Sequence, residues 1–278
     1  MPYSCFDVSI EDKVAHIRMS RPEAFNSMIR EFWSELPEIV NALDAGGEAR
    51  AIVVSSTGKH FTAGMDLGVF GGDGLSEDRG ELGRQRANLR RQILELQDTF
   101  SCLEQARVPV LAAVQGGCIG GGVDLISACD MRYCTEDAWF CIQEVNIGMT
   151  ADVGTFPRLP KVMPEGLVRE LAYTGRRLSA TEARESGLVN RVYPDPDAML
   201  ADVFDVAKQI ASRSPLAVWG SKEMLNYARD HSTAEGLDYI ATWQSGMFQP
   251  DDMMESFRAK QEKRDPEYPD LLPLKNEL

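Results

Sequence analysis

Along the chain, short runs that alternate apolar and polar residues give way to longer runs with apolar positions three and four apart. FDVSIED (residues 6–12) and VAHIRMS (14–20) alternate with the period of two that lets a strand bury one face, and together they predict a hairpin. The next stretch, MIREFWSELPEIVNALDA, places Phe32, Leu36, Ile39 and Leu43 on one side of a helix despite an internal proline. ARAIVVSS reads as a buried strand and VPVLAAVQG as another, both nearly continuous apolar runs. Between them RQRANLRRQILELQDTFSCLEQA predicts a long amphipathic helix, and after them MRYCTED and AWFCIQEV predict two further strands. GVFGGDGLSEDRG, rich in glycine and acid and poor in apolar residues, predicts a mobile loop rather than a linker.

From about Pro157 the pattern turns mostly helical, through EGLVRELAYTG, SATEARESG and DAMLADVFDVAKQIASRS to a helix-rich tail from Pro215. In SATEARESG, Ser179 followed three residues later by Glu182 forms a capping box, with Gly187 as the stop. No repeat of fixed period occurs. The order predicts an α/β part followed by a helical C-terminal part.

Composition narrows the chemistry. The chain has 278 residues, 44% hydrophobic and 26% charged, enough to bury a sizeable core. A net charge of -14, from 43 acidic against 29 basic residues, argues against broad binding to nucleic acid or to an anionic membrane. No run reaches the roughly 18 apolar residues that a membrane-spanning helix needs. Six cysteines without a C-x-x-C pair, and three histidines (His16, His60 and His231), suggest neither a zinc site nor a thioredoxin-type motif. The start carries no basic and apolar leader and the end reads NEL rather than Ser-Lys-Leu, so a cytoplasmic location with free thiols is the expectation.

QGGCIGGGVDLISACD (115–130) holds five glycines within eight residues, a density usual for phosphate binding. A P-loop fails on identity, because Gly122 follows Gly121 and no Lys-Ser or Lys-Thr comes after. A dinucleotide fingerprint fails as well, since the sixth position counted from Gly120 is Leu125. What remains is a strand, a glycine turn and a short helix with Asp124 in its first turn. A backbone N–H at such a helix start can hold a thioester carbonyl oxygen and stabilise the enolate formed when the adjacent carbon loses a proton. Asp124 equally suits plain stabilisation of the helix start, and the stretch by itself leaves both readings open.

GKHFTAGMDL (58–67), followed some fifty residues later by GGGVDL, resembles the enoyl-CoA hydratase/isomerase (crotonase) superfamily. SRPEAFNSM and ATEARESGLVNRV extend the likeness over nearly the whole chain. The resemblance implies an α/β crotonase-like spiral of ββα units over residues 1–205, carrying a CoA thioester site. It implies a helical region over 206–278 that builds homotrimers, commonly paired into hexamers. It further implies an acyl-CoA substrate, no metal and no cofactor beyond the coenzyme A of the substrate itself. The oxyanion donors would be the N–H groups of Met65 and Gly121, with CoA contacts at Ala63, Asp66 and Lys260.

In the hydratases of this superfamily two glutamates hold a water; here those positions are Asp124, shorter by one methylene, and Glu144. A third carboxylate, Asp152, follows in GMTADVGTFPRLP. The three together resemble the Δ3,5-Δ2,4-dienoyl-CoA isomerase branch, which serves unsaturated fatty-acid oxidation. By that resemblance Asp152 takes a proton from C2, Glu144 returns one at C6, and Asp124 orients or tunes the pair. A 2-enoyl-CoA hydratase and a non-catalytic, RNA-binding relative on the same fold are the alternatives, the second opposed by the acidic charge balance. Phe140, Ile147 and Phe156 suit an acyl tunnel or the core, Arg258, Lys260, Lys263 and Arg264 suit CoA phosphates or a solvated helix face, and His60 falls outside the chemistry.

Overall fold

The computed structural model describes residues 3–70 and 81–274. Strands β1 (Phe6–Glu11) and β2 (Val14–Met19) form the expected antiparallel hairpin, with Glu11 opposite Val14. Its two-residue turn places Asp12 and Lys13 at φ 50° and 65°, the left-handed geometry whose twist matches that of the flanking strands. The chain continues through α1 (Arg30–Gly46), β3 (Ala51–Ser56), α2 (Leu67–Phe70), α3 (Leu82–Gln105), β4 (Val110–Val114), β5 (Gly117–Ile119) and α4 (Gly121–Ala128). Then come β6 (Met131–Thr135), β7 (Trp139–Cys141), α5 (Thr155–Arg158), α6 (Glu165–Thr174), β8 (Leu178–Ser179), α7 (Ala180–Glu185) and β9 (Arg191–Tyr193). Helices α8 (Pro196–Ala211), α9 (Pro215–Ala228), α10 (Thr233–Met247) and α11 (Pro250–Glu262) complete it.

The larger sheet has the order β1-β2-β3-β4-β6-β9 and is parallel from β2 onward. Strands β3 and β4 are buried along their whole length because both faces are covered. In β3, Ile52 and Val54 enter the main core beneath α1 and α3, whereas Ala51 and Val53 face the cluster that includes Met199, Val203 and Ala207 of α8. β4 divides the same way, with Val110, Ala112 and Val114 on one side and Leu111 and Ala113 on the other. Residue 205 lies within α8, which packs along β2, β3, β4, β6 and β9.

A second sheet, β5-β7-β8, stands beside the start of α4. The expected strand over AWFCIQEV is shorter in the structure: β7 pairs with β5 only from Trp139 to Cys141, and a 3₁₀ turn begins at Glu144 and closes on left-handed Gly148. That turn aims a carboxyl into the fold where a strand would have alternated past it. Of the expected glycine-rich loop, Gly68–Phe70 belong to the helical turn α2, and residues 71–80 lie outside the described residues. The Ser179–Glu182 capping box forms with both of its hydrogen bonds, at 3.0 and 3.2 Å.

Candidate active site

The site is assembled where the 60–66 loop meets the start of α4. Thr62 bridges to Cys118 and Met28 to Met65, so the loop is stitched between β5 and the segment before α1. In the second bridge Met28 N–H donates to Gly64 O at 2.8 Å and Asp66 N–H to Met28 O at 3.1 Å. In a parallel bridge this geometry uses the groups on either side of Met65 and turns its own N–H away from Met28; that N–H has no acceptor among the described residues. Gly64, at φ 84°, lets the loop lie against α4: a Cβ there would stand 2.8 Å from Ile119 O and 3.7 Å from Gly121 N.

Gly121 is the first residue of α4, so its N–H has no intrahelical acceptor. Gly120 before it takes φ 51° and ψ -119°, a conformation open essentially to glycine alone, while its N–H donates to Cys141 O at 2.9 Å. Met65 and Gly121 thus bring two unspent backbone N–H groups to neighbouring stretches of chain, the donor set an enolate oxygen needs.

Three carboxyls share the same neighbourhood. Asp124, one turn into α4, is fully buried, and its Oδ1 accepts from Thr155 N–H at 2.6 Å and from Thr155 Oγ1 at 2.7 Å. Burial nonetheless pushes its carboxyl up to about 6, against the opposing effect of the two Thr155 bonds, and the charge of Asp152 pushes the same way. Glu144 rises to about 7, first through burial and then through the charge of Asp124. Asp152 is the most exposed of the three, yet enough protein crowds its carboxyl to hold it above the usual carboxylate range. Asp124 Oδ2 and Glu144 Oε2 are buried without a hydrogen-bond partner among the described residues, as is Trp33 Nε1. A Cβ on Gly121 would stand 3.8 Å from the Trp33 ring and 2.9 Å from Met28 Sδ, which places both side chains at the oxyanion end.

The electrostatics can do one thing well: keep one carboxyl protonated near neutrality beside another that is ionised. They also carry a cost. Glu144 is raised from 4.5 to about 7, so its contribution to stability is complete below pH 4.5 and is lost as pH rises through 7. Glu144→Gln is therefore expected to match the native protein in thermal unfolding at pH 4 and to exceed it at pH 8, by about 3 kcal/mol. Equal melting of the two proteins at pH 8 would show that the carboxylate is not held in a costly setting.

Among the remaining sequence-predicted residues, Ala63 donates its N–H to Phe25 O at 2.9 Å, and Asp66 accepts from Ser27 Oγ at 2.8 Å and Gly68 N at 2.9 Å. These bonds shape the donor loop and hold the Asp66 carboxyl below its usual range. Lys260 is exposed on α11, with no ion-pair partner among the described residues. Phe140 is core, Phe156 packs against the core, and Ile147 is half exposed. His60 Nδ1 accepts from Gly117 N–H at 2.9 Å and so helps place β5, a structural task. Sequence reasoning missed Thr155, Gly120 and Trp33. A threonine after glycine reads only as a helix start, and nothing local ties it to an aspartate 31 residues earlier.

The sequence profile of the enoyl-CoA hydratase/isomerase family matches residues 9–271. A mitochondrial Delta(3,5)-Delta(2,4)-dienoyl-CoA isomerase of Rattus norvegicus is 49% identical over 258 residues, 92% of this chain and 79% of that protein. A peroxisomal protein of the same name from Arabidopsis thaliana is 41% identical over 94% of each chain. The crystal structure of an enoyl-CoA hydratase from Bacillus anthracis superposes with a TM-score of 0.83 at 31% identity, over 95% of this chain and 99% of that one. The fold is crotonase-like, as its motifs implied. These relatives overturn the cytoplasmic expectation, because they are mitochondrial or peroxisomal by name. All six cysteines are free and buried, and reduced thiols suit any reducing compartment, so they could not discriminate. With the profile spanning residues 9–271 and relatives of up to 49% identity aligned along nine-tenths of its length, the chain belongs to the enoyl-CoA hydratase/isomerase family.

Proposed function

We propose that the protein isomerises 3,5-dienoyl-CoA to 2,4-dienoyl-CoA, a step in the breakdown of unsaturated fatty acids, with one carboxyl removing a proton and another delivering one. The observation that carries this reading is the setting of Glu144: buried beside Asp124, it keeps its proton to about pH 7, as an acid working at neutral pH must. Relatives named for this isomerisation, at 41–49% identity, support it. The thioester oxygen sits between the N–H groups of Met65 and Gly121, and Asp152 takes the C2 proton as negative charge builds on that oxygen. The electron pair shifts along the diene, and Glu144 protonates C6. Burial first, and then the negative charge of Asp124, itself held by Thr155, keep Glu144 protonated. Proton loss at C2 and gain at C6 balance the reaction without a redox partner or metal.

Ala63 and Asp66 flank Met65 on the loop, along which the pantetheine arm runs, and Lys260 is assigned to the CoA phosphates. The helical region after α8 is assigned to assembly of three or six chains. Leu225, Leu237, Ile240 and Phe257 support that assignment, being large apolar residues 44–71% exposed on α9–α11. Hydration is the second reading, favoured by the unpartnered Asp124 Oδ2 and Glu144 Oε2, two acceptors able to hold a water. An ultraviolet assay separates the two. Conversion of 3,5-octadienoyl-CoA to the 2,4-diene, with crotonyl-CoA left unhydrated, is expected; hydration without a diene shift would overturn the isomerase reading.

A further inference from the structure

Arg158 closes α5, four residues after Gly154, with its side chain only 12% exposed. Its Nε and Nη2 donate to Glu104 Oε2 at 3.2 and 3.1 Å, and Nη2 also donates to Ser101 Oγ at 3.1 Å. Both partners lie in the last turns of α3. The guanidinium rests against Gly154, which takes φ 144°; a Cβ at that position would fall on Nη1, so this arginine fits only over a glycine. One turn earlier on α3, Gln97 Nε2 donates to the backbone oxygen of Asp152 at 2.6 Å. The turn from Asp152 to Thr155 is therefore tied to α3 at two points, by Gln97 at Asp152 and, through Arg158 of α5 lying over Gly154, by Ser101 and Glu104.

That short turn carries much of the site. Asp152 opens it, and Thr155 closes it with both hydrogen bonds to Asp124. Glu104 is itself anchored from the C-terminal part, since its Oε1 pairs with Arg229 and its backbone oxygen accepts from Asn226 Nδ2 at 3.0 Å, both residues from the end of α9. A cavity of about 310 Å³ lies beside the turn, and Asp152, Arg158, Lys161 and Asp230 are among its walls. Lys161 is paired with Asp230, and Arg229 with Glu104. The cation bearing directly on the turn is Arg158, whose charge favours ionised Asp124.

We propose that Arg158, braced on Glu104 and Ser101 and seated over Gly154, is a positioning residue for the proton transfer, fixing the Asp152-to-Thr155 turn against α4. This rests on the assignment of the transfer to Asp152 and Glu144. Misplacing a reacting carboxyl by about 1 Å is enough to slow a reaction about 100-fold, whereas the CoA-binding loop around Met65 lies on a different segment. Loss of the clamp should therefore lower kcat and spare KM.

Full-length Arg158→Met, Arg158→Lys and Asp152→Asn, assayed with 3,5-octadienoyl-CoA and checked for folding by thermal unfolding, test it. Arg158→Met is expected to lower kcat about 10- to 100-fold with KM within about threefold of native. Arg158→Lys should recover part of that loss, because an ammonium keeps the charge but lacks the fork that spans Glu104 and Ser101. If Arg158→Met does not fold, Arg158→Lys decides, with kcat reduced and KM held as the supporting result. Native kcat in whichever variant is folded, or kcat and KM changing in parallel, overturns the proposal. If Asp152→Asn keeps native kcat, the carboxylate assignment falls; if Asp152→Asn is impaired while the Arg158 variants are not, only the clamp falls.

Discussion

Glu144→Gln and Asp152→Asn are each expected to lower kcat/KM for 3,5-octadienoyl-CoA by about 10²- to 10⁴-fold, the usual worth of a positioned proton donor or acceptor. Both substitutions keep the shape and remove only the titrating group. In the native protein kcat/KM should fall on the alkaline side as free Glu144 loses its proton near pH 7, and on the acid side as Asp152 gains one above its usual range. Asp124→Asn gives the direction of the coupling. The charge of Asp124 is the second cause of the raised Glu144 value, after burial, so removing it should move the alkaline limb to lower pH. An alkaline limb that stays in place in Asp124→Asn would mean that burial alone sets Glu144.

Gly120→Ala is expected to be nearly as damaging, for two separable reasons. At φ 51° and ψ -119° an alanine is strained, at a cost of about 1–3 kcal/mol. Its Cβ would also stand 3.1 Å from Glu144 Oε1, tight enough to push the carboxyl aside or to twist the backbone that presents Gly121 N–H. Loss of one oxyanion donor alone is worth roughly 10²- to 10³-fold in kcat. Gly166→Ala is the control: it lies in the first turn of α6 with nothing within 4 Å of the added methyl among the described residues, and it should leave activity unchanged. Native activity in Gly120→Ala would show that the turn tolerates a side chain and that Glu144 is free to move away from it.

Much of the architecture is legible in the sequence because it follows from local periodicity. The unbroken apolar runs of β3 and β4 say that both faces are covered, and the Ser179 capping box marks a helix start that forms as read. Asp124 could be placed in the first turn of a helix from the glycines before it. Its environment could not, because Thr155 reaches it across 31 residues and Arg158 reaches Glu104 across 54, and a helix-start threonine or a surface-looking arginine carries no mark of a distant partner. The early end of β7 was hidden for a related reason. AWFCIQEV is apolar enough for a longer strand, but its parallel partner among the described residues, β5, is three residues long, so pairing stops at Cys141 and Glu144 turns inward. The cytoplasmic expectation drew on the two ends of the sequence, and free thiols fit it no better than they fit any other reducing compartment.

The central claim is that one carboxyl removes a proton at C2 and another delivers a different one at C6. Running the isomerisation of 3,5-octadienoyl-CoA in D₂O and locating deuterium in the product by NMR tests it directly. If Glu144 has taken its acidic proton from solvent before each turnover, the product carries one deuterium at C6, and Glu144→Gln loses that incorporation together with its rate. A product formed at native rate with no deuterium at C6 would mean that a single group carries the substrate's own proton across, and would contradict the two-carboxyl account.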